Sequence, residues 1–132
     1  MPRAKTIYSN PRFNLIEESV KLPDGRKVKN AFARRKPATV ILAVKNSKIL
    51  LIREHRVVLK GWIYELPGGR MEKDEIQVAG AKRELIEETG YDAKKILPMF
   101  NSSLNPSYMD QTHYFFLQSL AKSTSRSWIM TR

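Results

Sequence analysis

The chain has 132 residues, no cysteine, and 24 lysine and arginine residues against 13 acidic ones, a formal net charge of +11. This length suits one compact domain, and the lack of cysteine excludes disulfides, thiolate zinc sites and a cysteine nucleophile. The charge favours solubility or anionic partners such as nucleotides. No apolar stretch reaches the roughly 18 residues of a membrane span or forms a signal-peptide core, so we expect a cytoplasmic protein without a membrane partner.

Residues 1–36 form a β-rich opening segment. A polar turn at 9–12 separates two short apolar runs, and Pro23-Asp24-Gly25-Arg26 is typical of a hairpin turn. The segment therefore predicts an antiparallel β-hairpin ahead of the main domain. Its basic cluster, from Lys27 to Lys36, comes with no nucleic-acid-binding motif. We interpret the cluster as a solvated face and do not expect a nucleic-acid partner.

Residues 37–120 alternate between strand and helix signals and form the predicted core. Apolar and β-branched runs predict strands at 39–44, 49–52, 62–64, 96–100 and 113–120. One helix is predicted over 75–89, with Asp74 as its N-cap and Gly90 at its C-cap. This order predicts an α+β domain in which one principal helix packs on a mixed sheet. Residues 121–132 are polar and predict a C-terminal tail.

The predicted helix carries a close group of acidic residues. Glu84 and Glu88 are four positions apart and share one stripe of the helix, with Glu87 beside them. Arg83 can pair with Glu87 and so neutralises part of this charge. The apolar stripe that can dock on the sheet comprises Val78, Ala81 and Leu85. The remaining negative charge suits a hard divalent cation such as Mg²⁺ or Mn²⁺, and a solvated acidic face is the alternative.

The spacing of these residues resembles the Nudix box, Gly-x5-Glu-x7-Arg-Glu-U-x-Glu-Glu-x-Gly-U. The fixed positions are Gly69, Glu75, Arg83, Glu84, Glu87, Glu88 and Gly90, while the last, aliphatic position holds Tyr91. Two further segments resemble the ADP-ribose pyrophosphatase branch of that family, Arg53-Glu54-His55-Arg56 and Glu65-Leu66-Pro67-Gly68-Gly69. Pro106, fifteen positions after the box, lies in a loop that is similar to one of that branch.

The resemblance implies a Nudix-type α/β/α fold and hydrolysis of a nucleotide substrate, ADP-ribose, to AMP and ribose 5-phosphate. It implies Mg²⁺, with Mn²⁺ as a substitute, bound by Glu84, Glu88 and the Gly68 carbonyl. Glu87 would assist and Arg83 would orient the carboxylates, while Gly69, Glu75 and Gly90 would be structural. The implied substrate-binding residues are Arg53, Arg56, Glu65, Pro106 and Tyr108. The N-terminal hairpin resembles strands that such enzymes exchange in a homodimer.

The sequence departs from that branch in three places. Gln111 stands where the branch has a glutamate that binds metal or acts as a base, and a glutamine cannot accept a proton. Glu54-His55 replaces Gln-Tyr, and the long C-terminal helix of the branch is not evident, as in a truncated form. The alternatives are therefore another Nudix substrate (NADH, a dinucleoside polyphosphate or a nucleoside triphosphate) or a catalytically weak nucleotide-binding module.

Overall fold

The computed structural model describes residues 4–93, 95–119 and 129–131. In these ranges the chain forms one α-helix, α1 (Gln77–Thr89), a 3-10 turn (Val57–Leu59) and eleven strands. The strands are β1 (Lys5–Ser9), β2 (Asn14–Lys21), β3 (Lys27–Arg34), β4 (Ala38–Lys45), β5 (Lys48–Ile49), β6 (Leu51–Arg56), β7 (Gly61–Glu65), β8 (Lys95–Ser102), β9 (Met109–Asp110), β10 (His113–Ser119) and β11 (Ile129–Thr131). Mixed sheets with a single helix confirm the predicted fold class.

The chain is divided into two compact units. The described residues of the first unit are 4–37 and 103–112. Its sheet has the order β1-β2-β3-β9. The predicted hairpin is present as a β2–β3 antiparallel pair, and Gly25 takes a φ of 87° in its turn. The loop 103–112 belongs to this unit because β9 pairs with β3 in parallel, Ala33 opposite Met109.

The described residues of the second unit are 38–93, 95–102, 113–119 and 129–131, and this unit holds the helix. Its larger sheet has the order β5-β4-β10-β8, in which β10 runs parallel to β4 and antiparallel to β8. The apolar stripe of α1 docks here as predicted, because Ala81 and Leu85 share one buried cluster with Ile41 and Phe116. A second sheet in this unit has the order β11-β6-β7.

Three sequence predictions differ from the structure in detail. Helix α1 begins at Gln77, not at 75, and its N-cap residue is Ile76, because Ile76 has an extended backbone (φ −77°, ψ 147°), while Asp74 has a left-handed φ of 61° instead of the extended conformation of an N-cap. The strand predicted at 49–52 is divided at Leu50, so Ile49 is exposed on the short strand β5 while Leu50 is buried. The predicted tail lies mostly outside the described residues, and its residues 129–131 form β11, parallel to β6.

The described residues, 4–93, 95–119 and 129–131, include no helix with the length and apolar character that crossing a bilayer requires.

Candidate active site

A glycine turn after β7 forms one side of the site. Its backbone is bonded to β4: Thr39 N–H donates to the Gly69 carbonyl and Ile41 N–H to the Pro67 carbonyl, each at 2.8 Å. Gly68 has a φ of 154°, and a Cβ there would collide with the Thr39 carbonyl. Only glycine therefore fits position 68, and the turn is fixed against the sheet.

The acidic stripe of α1 faces this turn. Glu84 and Glu88 are both buried, with 9% and 6% of their surface exposed. Gly68 N–H donates a 2.9 Å hydrogen bond to Glu88 Oε2. A Cβ placed on Gly69 would lie 2.5 Å from the Glu84 carboxylate, so the missing side chain of Gly69 provides the space that Glu84 fills. Two carboxylates and the glycine turn are thus brought together.

Arg83 connects the acidic residues to one another. Its guanidinium binds Glu75 through two hydrogen bonds, of 2.9 and 3.0 Å, and its Nη1 donates to Glu84 Oε1 at 2.9 Å. The predicted pair with Glu87 is also present, at 3.2 Å. Arg83 therefore fixes the direction of three carboxylates at once.

The Glu75–Arg83 pair shifts the pKa of both of its members. Hydrogen bonding from Arg83, followed by the backbone N–H of Glu72, lowers the pKa of Glu75, and the same pairing raises the pKa of Arg83. Gly80 makes room for Glu75, because a Cβ on Gly80 would lie 2.8 Å from Glu75 Oε2. The absence of a side chain at Gly80 therefore leaves the space that the Glu75 carboxylate occupies.

The donor set at the glycine turn fits a hard divalent cation. Carboxylate and backbone carbonyl oxygens are the ligands that Mg²⁺ and Mn²⁺ prefer. Across the described ranges, no three acidic or histidine side chains are grouped closely enough to hold a metal by themselves. Since Glu84 also binds Arg83 and Glu88 also binds Gly68 N–H, a cation here would need further oxygen ligands from water or substrate.

The two arginines of the 53–56 segment lie on opposite faces of the β6–β7 hairpin. The register of the hairpin is continuous from Ile52–Glu65 to Arg56–Gly61, and residues three apart on a strand point to opposite sides. Arg56 forms ion pairs with Glu54 and Glu65, whereas the Arg53 guanidinium lies 4.6 Å from the Trp62 ring centroid. The structure therefore separates Arg53 from the Arg56–Glu65 pair.

The loop with Pro106, Tyr108 and Gln111 lies in the first unit, beside a cavity of about 390 Å³. Pro106 and Gln111 line this cavity, together with Asn30, Phe32, Arg34 and Asp110. Gln111 is buried and donates from Nε2 to the Lys36 carbonyl at 2.8 Å. Asp110, the neighbouring acid, forms a 2.7 Å ion pair with Arg34. Tyr108 is 58% exposed, and its hydroxyl bonds to Asn105.

Two residues at these sites were given no role from the sequence. Glu54 and Glu65 both pair with Arg56. The contact between Glu54 and Arg56 could have been predicted, because residues two positions apart on a strand lie on the same face. Arg34 pairs with Asp110 across 76 positions of sequence, and no local pattern announces such a contact.

Comparison with known proteins identifies related chains. Residues 34–127 match the NUDIX domain. The chain is 36% identical over 112 residues to the ADP-ribose pyrophosphatase of Bacillus subtilis (strain 168). This alignment covers 84% of this chain and 60% of the relative. It is 30% identical over 122 residues to the methanol dehydrogenase activator of Bacillus methanolicus, covering 91% of this chain and 66% of that protein. It therefore spans less than two thirds of either relative.

The fold also matches a solved structure. The crystal structure of an ADP compounds hydrolase superposes with a TM-score of 0.74 at 22% sequence identity, covering 96% of this chain and 71% of that one. At this identity the match concerns the fold, which agrees with the mixed sheets and single helix described above.

Proposed function

The chain belongs to the NUDIX domain family, and from that premise we propose that it hydrolyses the pyrophosphate bond of a nucleoside diphosphate derivative. The proposed substrate is ADP-ribose, which gives AMP and ribose 5-phosphate. The observation that carries the proposal is the convergence of Glu84 and Glu88 on the Gly68–Gly69 turn, with Arg83 fixing Glu84. The similarity to an ADP-ribose pyrophosphatase supports the choice of substrate.

We assign a divalent cation, Mg²⁺ or Mn²⁺, to Glu84, Glu88 and the Gly68 carbonyl. When bound, such a cation neutralises pyrophosphate charge and lowers the pKa of a coordinated water. Glu88 is held by Gly68 N–H and Glu84 by Arg83, so both carboxylates are oriented before a ligand arrives. Glu87 is the most exposed of the three helix acids, and we assign it to contact with the attacking water.

Recognition of the substrate is assigned to the remaining predicted residues. Arg56 and Glu65 form an ion pair, and the planar guanidinium of Arg56 suits a phosphate or ribose hydroxyl. Arg53 lies on the opposite face of the hairpin, so we assign it to a part of the substrate that Arg56 does not contact. We assign the exposed ring of Tyr108, two positions after Pro106, to stacking on the base. We assign the N-terminal strands to the interface of a homodimer.

The decisive experiment measures AMP release from ADP-ribose with Mg²⁺, with EDTA, and in the variant Glu88→Gln. A glutamine keeps an oxygen for the Gly68 N–H but removes the charge, so we expect the fold to persist and kcat to fall by about 100-fold or more. The control is Glu72→Gln, which changes charge equally at an exposed residue. Equal activity of Glu88→Gln and wild type, or full activity in EDTA, would contradict the proposal.

A second candidate function rests on Gln111. A glutamine at this position supplies no proton acceptor, and its side chain is bonded to the Lys36 carbonyl. A catalytically weak nucleotide-binding module would bind ADP-ribose in calorimetry but cleave it slowly or not at all. NADH, dinucleoside polyphosphates and nucleoside triphosphates, assayed beside ADP-ribose, distinguish this module from a hydrolase with another substrate.

A further inference from the structure

An acidic residue outside the predicted site contacts the arginine assigned to substrate binding. Glu54 and Arg56 are two positions apart on β6 and therefore lie on the same face of the strand. Glu65, on the neighbouring strand β7, reaches the same guanidinium. The three side chains form one cluster, here called the Arg56 cluster, and each is partly buried, with between 27% and 46% of its side chain exposed.

Both carboxylates of the Arg56 cluster use the same nitrogen. Arg56 Nη2 lies 3.1 Å from Glu54 Oε2 and also forms the ion pair with Glu65 Oε1. One positive charge therefore serves two negative charges, so the cluster carries a net charge of −1 when both glutamates are ionised. A phosphate that binds Arg56 must displace a carboxylate or approach against this excess charge.

We propose that Glu54 is a positioning residue that weakens the binding of anionic substrate at Arg56. It holds the guanidinium jointly with Glu65 and supplies the excess negative charge of the cluster. The inference rests on the proposed function, in which Arg56 and Glu65 bind a pyrophosphate substrate. A glutamine at position 54 would keep the size and the hydrogen-bonding oxygen of Glu54 but not its charge.

The protonation of Glu65 agrees with this arrangement. Partial burial, together with hydrogen bonding to Glu54, raises the pKa of Glu65, while Arg56 acts in the opposite direction. Glu54 and Arg56, both on β6, are the charged groups that act on Glu65. As pH falls through the raised pKa of Glu65, the cluster takes up a proton and loses its excess charge, so anion binding should strengthen.

The first test follows the side-chain carboxyl carbons of glutamate by ¹³C NMR during a pH titration. We expect Glu54→Gln to lower the pKa of Glu65, because the variant removes the neighbouring carboxylate and leaves Arg56 in place. The exposed-site control Glu72→Gln should leave the pKa of Glu65 unchanged. An unchanged Glu65 titration in Glu54→Gln would overturn the inference, and this test needs no substrate.

The second test measures binding of inorganic pyrophosphate by calorimetry in EDTA. Removal of one partly exposed charge beside Arg56 should lower Kd by about twofold to fivefold in Glu54→Gln at neutral pH. Because Glu54→Gln lowers the pKa of Glu65, Glu65 of the wild type takes up its proton first as pH falls. The difference in Kd between wild type and variant should therefore shrink as pH falls through the raised pKa of Glu65. An unchanged or raised Kd would overturn the inference. Absence of ADP-ribose hydrolysis by the wild type would instead refute the proposed function, while pyrophosphate binding still decides the role of Glu54.

Discussion

We expect the substitution Gly69→Ala to lower activity strongly while leaving the fold intact. The new Cβ would lie 2.5 Å from the Glu84 carboxylate, whereas ordinary contacts begin at 3.4 Å, so the carboxylate must move by about 0.9 Å. Glu84 is the end of a flexible side chain, and the backbone of Gly69 does not have a left-handed φ, so the movement strains no backbone and mainly weakens the hydrogen bond from Arg83. The cost therefore falls on the position of Glu84 and not on the stability of the domain.

The size of this effect follows from the displacement. A catalytic group misplaced by about 1 Å costs roughly 100-fold in rate, or about 2.7 kcal/mol of transition-state stabilisation. The neighbouring substitution Gly68→Ala should behave differently, because its Cβ would collide with the Thr39 carbonyl, which is backbone and cannot swing away. We expect Gly68→Ala to lower the free energy of unfolding by about 3 kcal/mol or more.

The assay pairs kcat/KM for ADP-ribose with urea unfolding for three variants. Gly61→Ala is the matched control, since its Cβ would meet an ordinary contact at 3.7 Å, and it should match the wild type in both measurements. Wild-type activity in Gly69→Ala would refute the placement of Glu84 at the reacting centre. A loss of stability in Gly69→Ala as large as in Gly68→Ala would refute the flexible accommodation of Glu84.

Three further predictions concern other parts of the site. Arg83→Lys keeps the charge but not the two hydrogen bonds to Glu75. Urea denaturation should therefore show a free energy of unfolding that is lower by about 1–2 kcal/mol. Gln111→Glu places a carboxylate against the Lys36 carbonyl, so it should lower Tm, while kcat rises at least about 10-fold if a base is missing there. Because the folded state raises the pKa of Glu65, wild-type stability should fall as pH rises from the ordinary to the raised value. Denaturant unfolding across this pH range should show a free energy of unfolding that falls with rising pH in the wild type and does not fall in Glu65→Gln.

The helix and its acidic stripe were predictable because their determinants are local. Residues four apart share a helix stripe whatever surrounds them, and Gly90 ends the helix with a left-handed φ of 69°, as its position predicted. The start of the helix was not predictable in this way. Asp74 has a side chain that is common at N-caps, but its backbone is left-handed. Glu75 is a good helix former, yet it lies outside the helix and its carboxylate binds Arg83.

Other features depend on contacts between distant segments. Arg53 and Arg56 resemble one phosphate-binding motif, yet strand alternation places them on opposite faces, and applying that rule to the sequence would have separated them. Nothing in the local sequence of the loop 103–112 indicates that β9 pairs with β3 or that Asp110 binds Arg34. Such pairings depend on the whole chain and not on any window of it.

Mn²⁺ binding followed by electron paramagnetic resonance tests most directly whether Glu84 and Glu88 form the metal site. Titration of the wild type should show bound Mn²⁺ that Mg²⁺ displaces. The variants Glu84→Gln and Glu88→Gln should each weaken binding by about 10-fold or more, because each removes a charged oxygen ligand. Wild-type Mn²⁺ affinity in both variants would contradict the assignment of the metal to the acidic stripe of α1.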